Sequence, residues 1–195
     1  MHRIFIAINL PEKVKSELEK LEREIESLFP PEINRGMFRW VKKENLHITL
    51  LFIGAVRDEE IPKISQIVKD IAQPQKPFSL RIEKVSYGPP KKIPPRLIWV
   101  EVERKKEMVE IAKKLKKEMA ESGILQKVEQ REFSPHITLA RIKSFWWKRM
   151  EPEERPEIEK EIALDFEVNS IEIMESKLKR SGAEYTIIES ALFKS

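Results

Sequence analysis

The tetrapeptide His-Ile-Thr-Leu occurs twice in this chain, at residues 47–50 and again at 136–139, nearly half the chain apart. The chain holds only three histidines and three threonines, and two of each sit in these copies. At this composition, chance supplies a second copy roughly three times in ten thousand, so the repeat calls for a cause. Ile and Leu at those positions are what a buried strand retains for packing. His and Thr are what a buried strand retains least readily. Successive side chains along a strand point to opposite faces. His47 and Thr49 therefore share one face and Ile48 and Leu50 the other, and the same parity sets His136 and Thr138 against Ile137 and Leu139. Each copy buries its aliphatic pair and presents an imidazole and a hydroxyl on the opposite face.

The pattern around the repeats supports a duplicated unit. Residues 3–9 read as a strand. Pro11 opens a helix with Val14, Leu18, Leu21, Ile25 and Leu28 on one stripe, stopped at Pro30 and Pro31. A short strand over 38–41 and a stronger one over 45–54, closed by Gly54, come next, then an amphipathic helix over 59–71. Residues 78–87 alternate as a strand, and 97–102 read as another. Between them, 88–95 (GPPKKIPP) is a loop or a connector between lobes. A helix over 107–121 ends at Gly123, and 133–142 is the strand of the second copy. Residues 144–161 are at most partly helical, and 164–174 and 184–193 close the chain as two strands, as in a hairpin around 176–184. The expected fold is α+β: a single domain over 1–195, bilobal with a pseudo-twofold, each lobe a mainly antiparallel sheet with helices and the cleft between lobes. In that arrangement two imidazoles and two hydroxyls converge.

Composition narrows the chemistry. The absence of cysteine excludes disulfides, zinc-thiolate sites and thiol nucleophiles. There is no GxxxxGK[ST], no GxSxG and no HExxH. The apolar run at the N-terminus is short and has no small-residue cleavage site, and no window is long enough to span a membrane. A soluble, cytoplasmic protein is expected. Charged residues make up 36% of the chain, as in ion-pair-rich thermophile proteins. The net charge of +4 suits an anionic ligand, but a solvated Lys/Glu surface produces the same figure.

Two imidazoles on either side of one atom can serve as general base and general acid in one turnover. Two hydroxyls can donate to anionic oxygens. That set suits in-line displacement at a phosphate. A metal site is the competing use, although two His do not complete a zinc shell.

These residues carry a resemblance. His47, Thr49, Leu50, Phe52 and Gly54, with Ser134, Pro135, His136, Thr138, Leu139 and Arg141, resemble the doubled HxTx signature of the two-histidine phosphoesterases. Within them they are most similar to the RNA 2′,3′-cyclic phosphodiesterase and 2′-5′ RNA ligase branch. The resemblance covers nearly the whole chain. It implies metal-independent hydrolysis of an RNA-terminal 2′,3′-cyclic phosphate, or of a related cyclic nucleotide, to a 2′-phosphomonoester, with no cofactor. By position, His47 is the expected proton donor and His136 the proton acceptor, with Thr49 and Thr138 on the nonbridging oxygens. Arg141 matches the family's flank as a phosphate ligand, yet strand parity turns it away from His136 unless the strand ends or bulges first. The same displacement run backwards is ATP-independent 2′-5′ RNA ligation. A non-catalytic RNA-end-binding module is the reading from another class. A monomer is expected.

Other residues admit two readings each. His2 is a frayed terminal residue or a ligand. Trp40 packs a lobe or stacks a base. Trp146 and Trp147, beside Lys148 and Arg149, anchor a loop or meet single-stranded RNA. Lys91, Lys92 and Arg96 line the cleft or lie on a solvated loop. Residues 177–180 (KLKR) form a turn in the closing hairpin.

Overall fold

The structure is a computed structural model that describes residues 1–125, 132–179 and 182–194. The chain runs β1 (His2–Asn9), α1 (Glu12–Ser27), α2 (Pro31–Met37), β2 (Phe38–Trp40), β3 (His47–Val56), α3 (Ile61–Ala72), β4 (Phe78–Gly88), β5 (Leu97–Val102), α4 (Lys106–Glu121), β6 (His136–Ile142), α5 (Ser144–Trp147), β7 (Lys160–Val168), β8 (Ser170–Lys179) and β9 (Gly182–Leu192). Apolar periodicity places the long helices. Val14, Leu18, Leu21 and Ile25 are the buried stripe of α1, and Ile64, Val68 and Ile71 that of α3. Prolines stop α1 as expected, but Pro31 also starts a second helix, because a missing N–H costs nothing in a first turn. Leu28 falls beyond α1 and is exposed, while Phe29 is buried in its place.

The strand order is β7-β4-β5-β6-β3-β1-β8-β9, with β2 added on β6 and every pairing antiparallel. The two halves of this sheet, β7-β4-β5-β6 and β3-β1-β8-β9, meet at a single pair, Ile48 opposite Ile137. This is the expected two-lobed, duplicated α+β fold, with the lobes joined edge to edge. The unit β1-α1-β3 recurs as β5-α4-β6, and the halves of the chain exchange strands: the first lends β4 to the second lobe, and the second lends β8 and β9 to the first. β4 pairs β5 in the second lobe, and β8 pairs β1 in the first.

Three expectations change. The segment 88–95 joins β4 to β5 as a hairpin within one lobe and connects no lobes, and Lys91, Lys92 and Arg96 are exposed on it. The closing region holds three strands where two were expected, because β7 ends at Val168 and β8 begins at Ser170 in the other half-sheet. In the closing hairpin, 177–179 belong to β8, while Arg180 lies outside the described residues. No helix among the described residues is long and apolar enough to cross a membrane.

One main core runs under both lobes and includes Ile48 and Ile137, each fully buried. A smaller cluster of Phe5, Ala7 and Met174, with Tyr185 against it, lies apart from that core. Since Ile4, Ile6 and Ile8 belong to the main core, alternation puts Phe5 and Ala7 on the reverse face of β1, the face of the cleft.

Candidate active site

Ile48 and Ile137 form the only pair between β3 and β6 among the described residues, and both point into the core. Continued one residue either way, that antiparallel register sets His47 across from Thr138 and Thr49 across from His136. All four side chains stand on the face away from the core, and all four are half-buried. The four functional groups are therefore neighbours on the cleft face of the seam.

Both imidazoles are held by the same local device. His47 Nδ1 lies 2.7 Å from the Asn45 carbonyl, and His136 Nδ1 lies 2.8 Å from the Ser134 carbonyl. A carbonyl only accepts, so Nδ1 carries the hydrogen in each ring and Nε2 is left with its lone pair. At His47 that lone pair receives the Thr49 hydroxyl at 2.9 Å. Burial pushes the His47 pKa down to about 4, against the opposing pull of the Asn45 carbonyl; His136 in its charged form, Lys15 and Arg141 add to the lowering. Burial lowers the His136 pKa as well, opposed by the Ser134 carbonyl. Both rings are therefore neutral near pH 7.

Each ring also leans on an aromatic from the strand beside it. Phe5 of β1 lies 5.0 Å from His47 at an interplanar angle of 42°, and Trp99 of β5 lies 4.6 Å from His136 at 43°. The match extends the duplication to the supports of the histidines. Tyr185 of β9 closes the far side of His47 at 5.3 Å. Asn45 links them: its carbonyl orients His47, while its side-chain amide donates to the Ala183 carbonyl at 2.8 Å and its Oδ1 accepts from the Tyr185 N–H at 3.2 Å. Trp99 is fixed in turn by Ser86, whose Oγ accepts from the indole N–H at 3.0 Å.

Arg141 reaches the cleft. Trp99 pairs with Thr138 and Ile98 with Ala140, so Leu139 is the extra residue of a bulge. After the bulge the parity is inverted: Ala140 and Ile142 are buried and Arg141 is exposed. Arg141 lines a cavity of about 450 Å³ beside His47 that Phe5, Trp40 and Tyr185 also line. A register shift in β3, with Leu50 as the extra residue, likewise brings Phe52 opposite Phe5, with ring centroids 6.0 Å apart.

The remaining candidates sort by packing. His2 is the first residue of β1, not a frayed end, and its ring bridges Glu175 at 2.7 Å and Asp58 at 3.1 Å. Trp147 is buried against Tyr87 and under the Arg155 guanidinium, and Trp146 fills the space over Gly36, so this pair anchors α5 on α2. Sequence reasoning missed Phe5, Asn45, Trp99 and Tyr185. A usable signal existed for two of them: Phe5 and Trp99 each interrupt a β-branched run, Ile-Phe-Ile and Ile-Trp-Val, at equivalent strands of the repeat.

Two imidazoles and two hydroxyls at the seam of a duplicated sheet define the two-histidine class of phosphoesterases. The chain belongs to the LigT like phosphoesterase family, whose model matches it twice, over residues 8–99 and 100–185. It is 30% identical over 195 residues to the RNA 2′,3′-cyclic phosphodiesterase of Thermotoga maritima, covering 98% of this chain and 95% of that one. The enzyme of the same name from Aquifex aeolicus is 27% identical over 188 residues, 96% of this chain and 95% of that one. Among solved structures, one from Thermus thermophilus superposes with a TM-score of 0.78 at 28% identity, covering 97% of each chain. Escherichia coli LigT complexed with 3′-AMP gives 0.74 at 26% identity, over 100% of this chain and 99% of that one.

Proposed function

We propose that this chain hydrolyses the 2′,3′-cyclic phosphate at RNA ends to a 2′-phosphomonoester without a metal. The observation that supports this reading is the Ile48–Ile137 register, from which His47, Thr49, His136 and Thr138 follow as neighbours on one face of the seam. In the reaction, water attacks phosphorus as His136 Nε2 takes its proton, and the bond from phosphorus to O3′ breaks as His47 Nε2 returns a proton to O3′. Thr49 and Thr138 donate to the nonbridging oxygens, and Arg141 balances their charge. His47 is held neutral by burial, so its proton must be taken up with the anion, whose negative charge raises the imidazole pKa. Thr49 then exchanges Nε2 for a phosphate oxygen.

The test is turnover of an RNA ending in a 2′,3′-cyclic phosphate, in EDTA, with phosphorus NMR assigning the product. His47→Ala and His136→Ala should each lower kcat by about 10²–10⁴, with the 2′-phosphate as sole product of the unmodified chain. Near-normal turnover in either variant defeats the acid–base pairing.

A further inference from the structure

The cavity beside His47 is walled by Asn45, Phe5 and Tyr185 where it borders that ring, and neither imidazole lines it. Its wall carries Arg3 of β1, Arg39 of β2 and Arg141 of β6, and no aspartate or glutamate lines it. Among the described residues none of these three arginines pairs with a carboxylate, whereas elsewhere Arg57 pairs with Glu59 and Arg81 with Asp165. Arg39 and Arg141 are also direct cross-strand partners. Like charges set opposite each other on neighbouring strands repel, and a bound anion relieves that cost. The cavity further presents aromatic surface: Phe52 is 69% exposed, and Trp40 lines the same wall. Unpaired cations around an exposed aromatic are the ingredients of single-stranded RNA binding, the cations for phosphates and the ring for a base.

Spacing separates this region from the reacting phosphate. Thr49 pairs with Ala7, and Arg3 lies four residues farther along β1. At the rise of an extended strand that is about 13 Å. One phosphate seated at Thr49 leaves Arg3 without a partner. A chain of nucleotides supplies further phosphates at such intervals.

We propose that the cavity is a subsite for the RNA strand on the 5′ side of the reacting end. Arg3 and Arg39 hold its phosphodiesters and Phe52 stacks one base, so the enzyme favours oligoribonucleotide ends over cyclic mononucleotides. The inference rests on the hydrolytic reading only for which end of the RNA enters first.

The experiment measures kcat/KM for a 2′,3′-cyclic mononucleotide and for an oligoribonucleotide of about six nucleotides with the same end. It compares the unmodified chain with the double variant Arg3→Gln, Arg39→Gln. Oligonucleotide kcat/KM should fall about 10- to 100-fold, through KM, while the mononucleotide value changes less than about twofold. The slope of log affinity against log salt should flatten by about 1.4, two single-strand contacts' worth. Arg3→Lys with Arg39→Lys should restore the slope, because the charge is kept. Fluorescence anisotropy of a labelled oligonucleotide ending in 2′-phosphate reads the subsite without turnover, so failure of hydrolysis leaves this binding test intact. Equal losses on both substrates, or unchanged oligonucleotide binding in a double variant whose circular dichroism melt is normal, overturns the proposal.

Discussion

At the scale of single residues, the site is governed by what surrounds each imidazole. Burial holds His47 down to about 4 in the folded chain, whereas an unfolded histidine titrates near 6.5. Between those values the unfolded chain binds a proton that the folded chain refuses. Stability therefore falls as pH drops from about 6.5 to about 4 and gains nothing further above 6.5. The His47 share of that loss is at most about 3 kcal/mol. The drop in urea midpoint from pH 7 to pH 4 should be larger for the unmodified chain than for His47→Gln, and equal drops would show that the ring is not held neutral by the fold. Proton NMR offers a second check, because inorganic phosphate in the cleft should move the His47 titration upward. The same two rings show what was readable in advance. The repeat singled out both histidines and both threonines as candidates, since polar letters surviving in a strand have no packing reason to be there, and the fold sets them on one face of the seam. Asn45 was not readable, because its role comes from β9 arriving more than a hundred residues later to meet its amide.

At the scale of elements, bulges and glycines decide which side chains face the cleft. Strand parity directed Arg141 away from the site, and one extra residue in β6 reverses that. A bulge depends on how β5 and β6 register against each other, so it is a property of the pair and leaves little trace in either sequence. Element positions were legible where periodicity ran long, as in α1, α3 and α4. They were lost where the signal was short: α2 hid behind two prolines, and β7 and β8 merged because Asn169 alone separates them. Gly88 has a positional duty. A Cβ there would sit 2.5 Å from the Trp99 indole, the ring on which His136 rests. Gly88→Ala should therefore displace Trp99 and lower kcat about 10- to 100-fold, as misplaced catalytic groups do. Gly36→Ala is the control. Its Cβ would meet the Trp146 indole at 2.4 Å, in the contact between α2 and α5. It should cost about 1–3 kcal/mol of stability and leave kcat near normal. If the two variants reduce kcat alike, Gly88 has no special link to His136.

At the scale of the molecule, the exchanged strands bind the two repeats into one cooperative unit. The seam itself is thin: among the described residues β3 and β6 share one residue pair. Coupling comes instead from β4, which leaves the first repeat to pair with β5 and β7, and from β8, which leaves the second to pair with β1 and β9. A chain cut between residues 99 and 100, where the two family matches meet, strands β4 without most of its partners in one fragment and β8 without β1 in the other. Open strand edges of that kind do not support an independent fold. The full chain should therefore melt in a single transition with equal calorimetric and van't Hoff enthalpies, and neither fragment alone should show a cooperative melt. The consequence reaches the chemistry. Because each lobe is completed by the other repeat, the relative position of His47 and His136 is set by both half-sheets together, and loosening β8 from β1 should lower kcat even though neither strand carries a histidine of the site. A fragment that melts cooperatively on its own would mean that one repeat folds without the strands exchanged with the other, and that the exchange does not set the relative position of the two imidazoles.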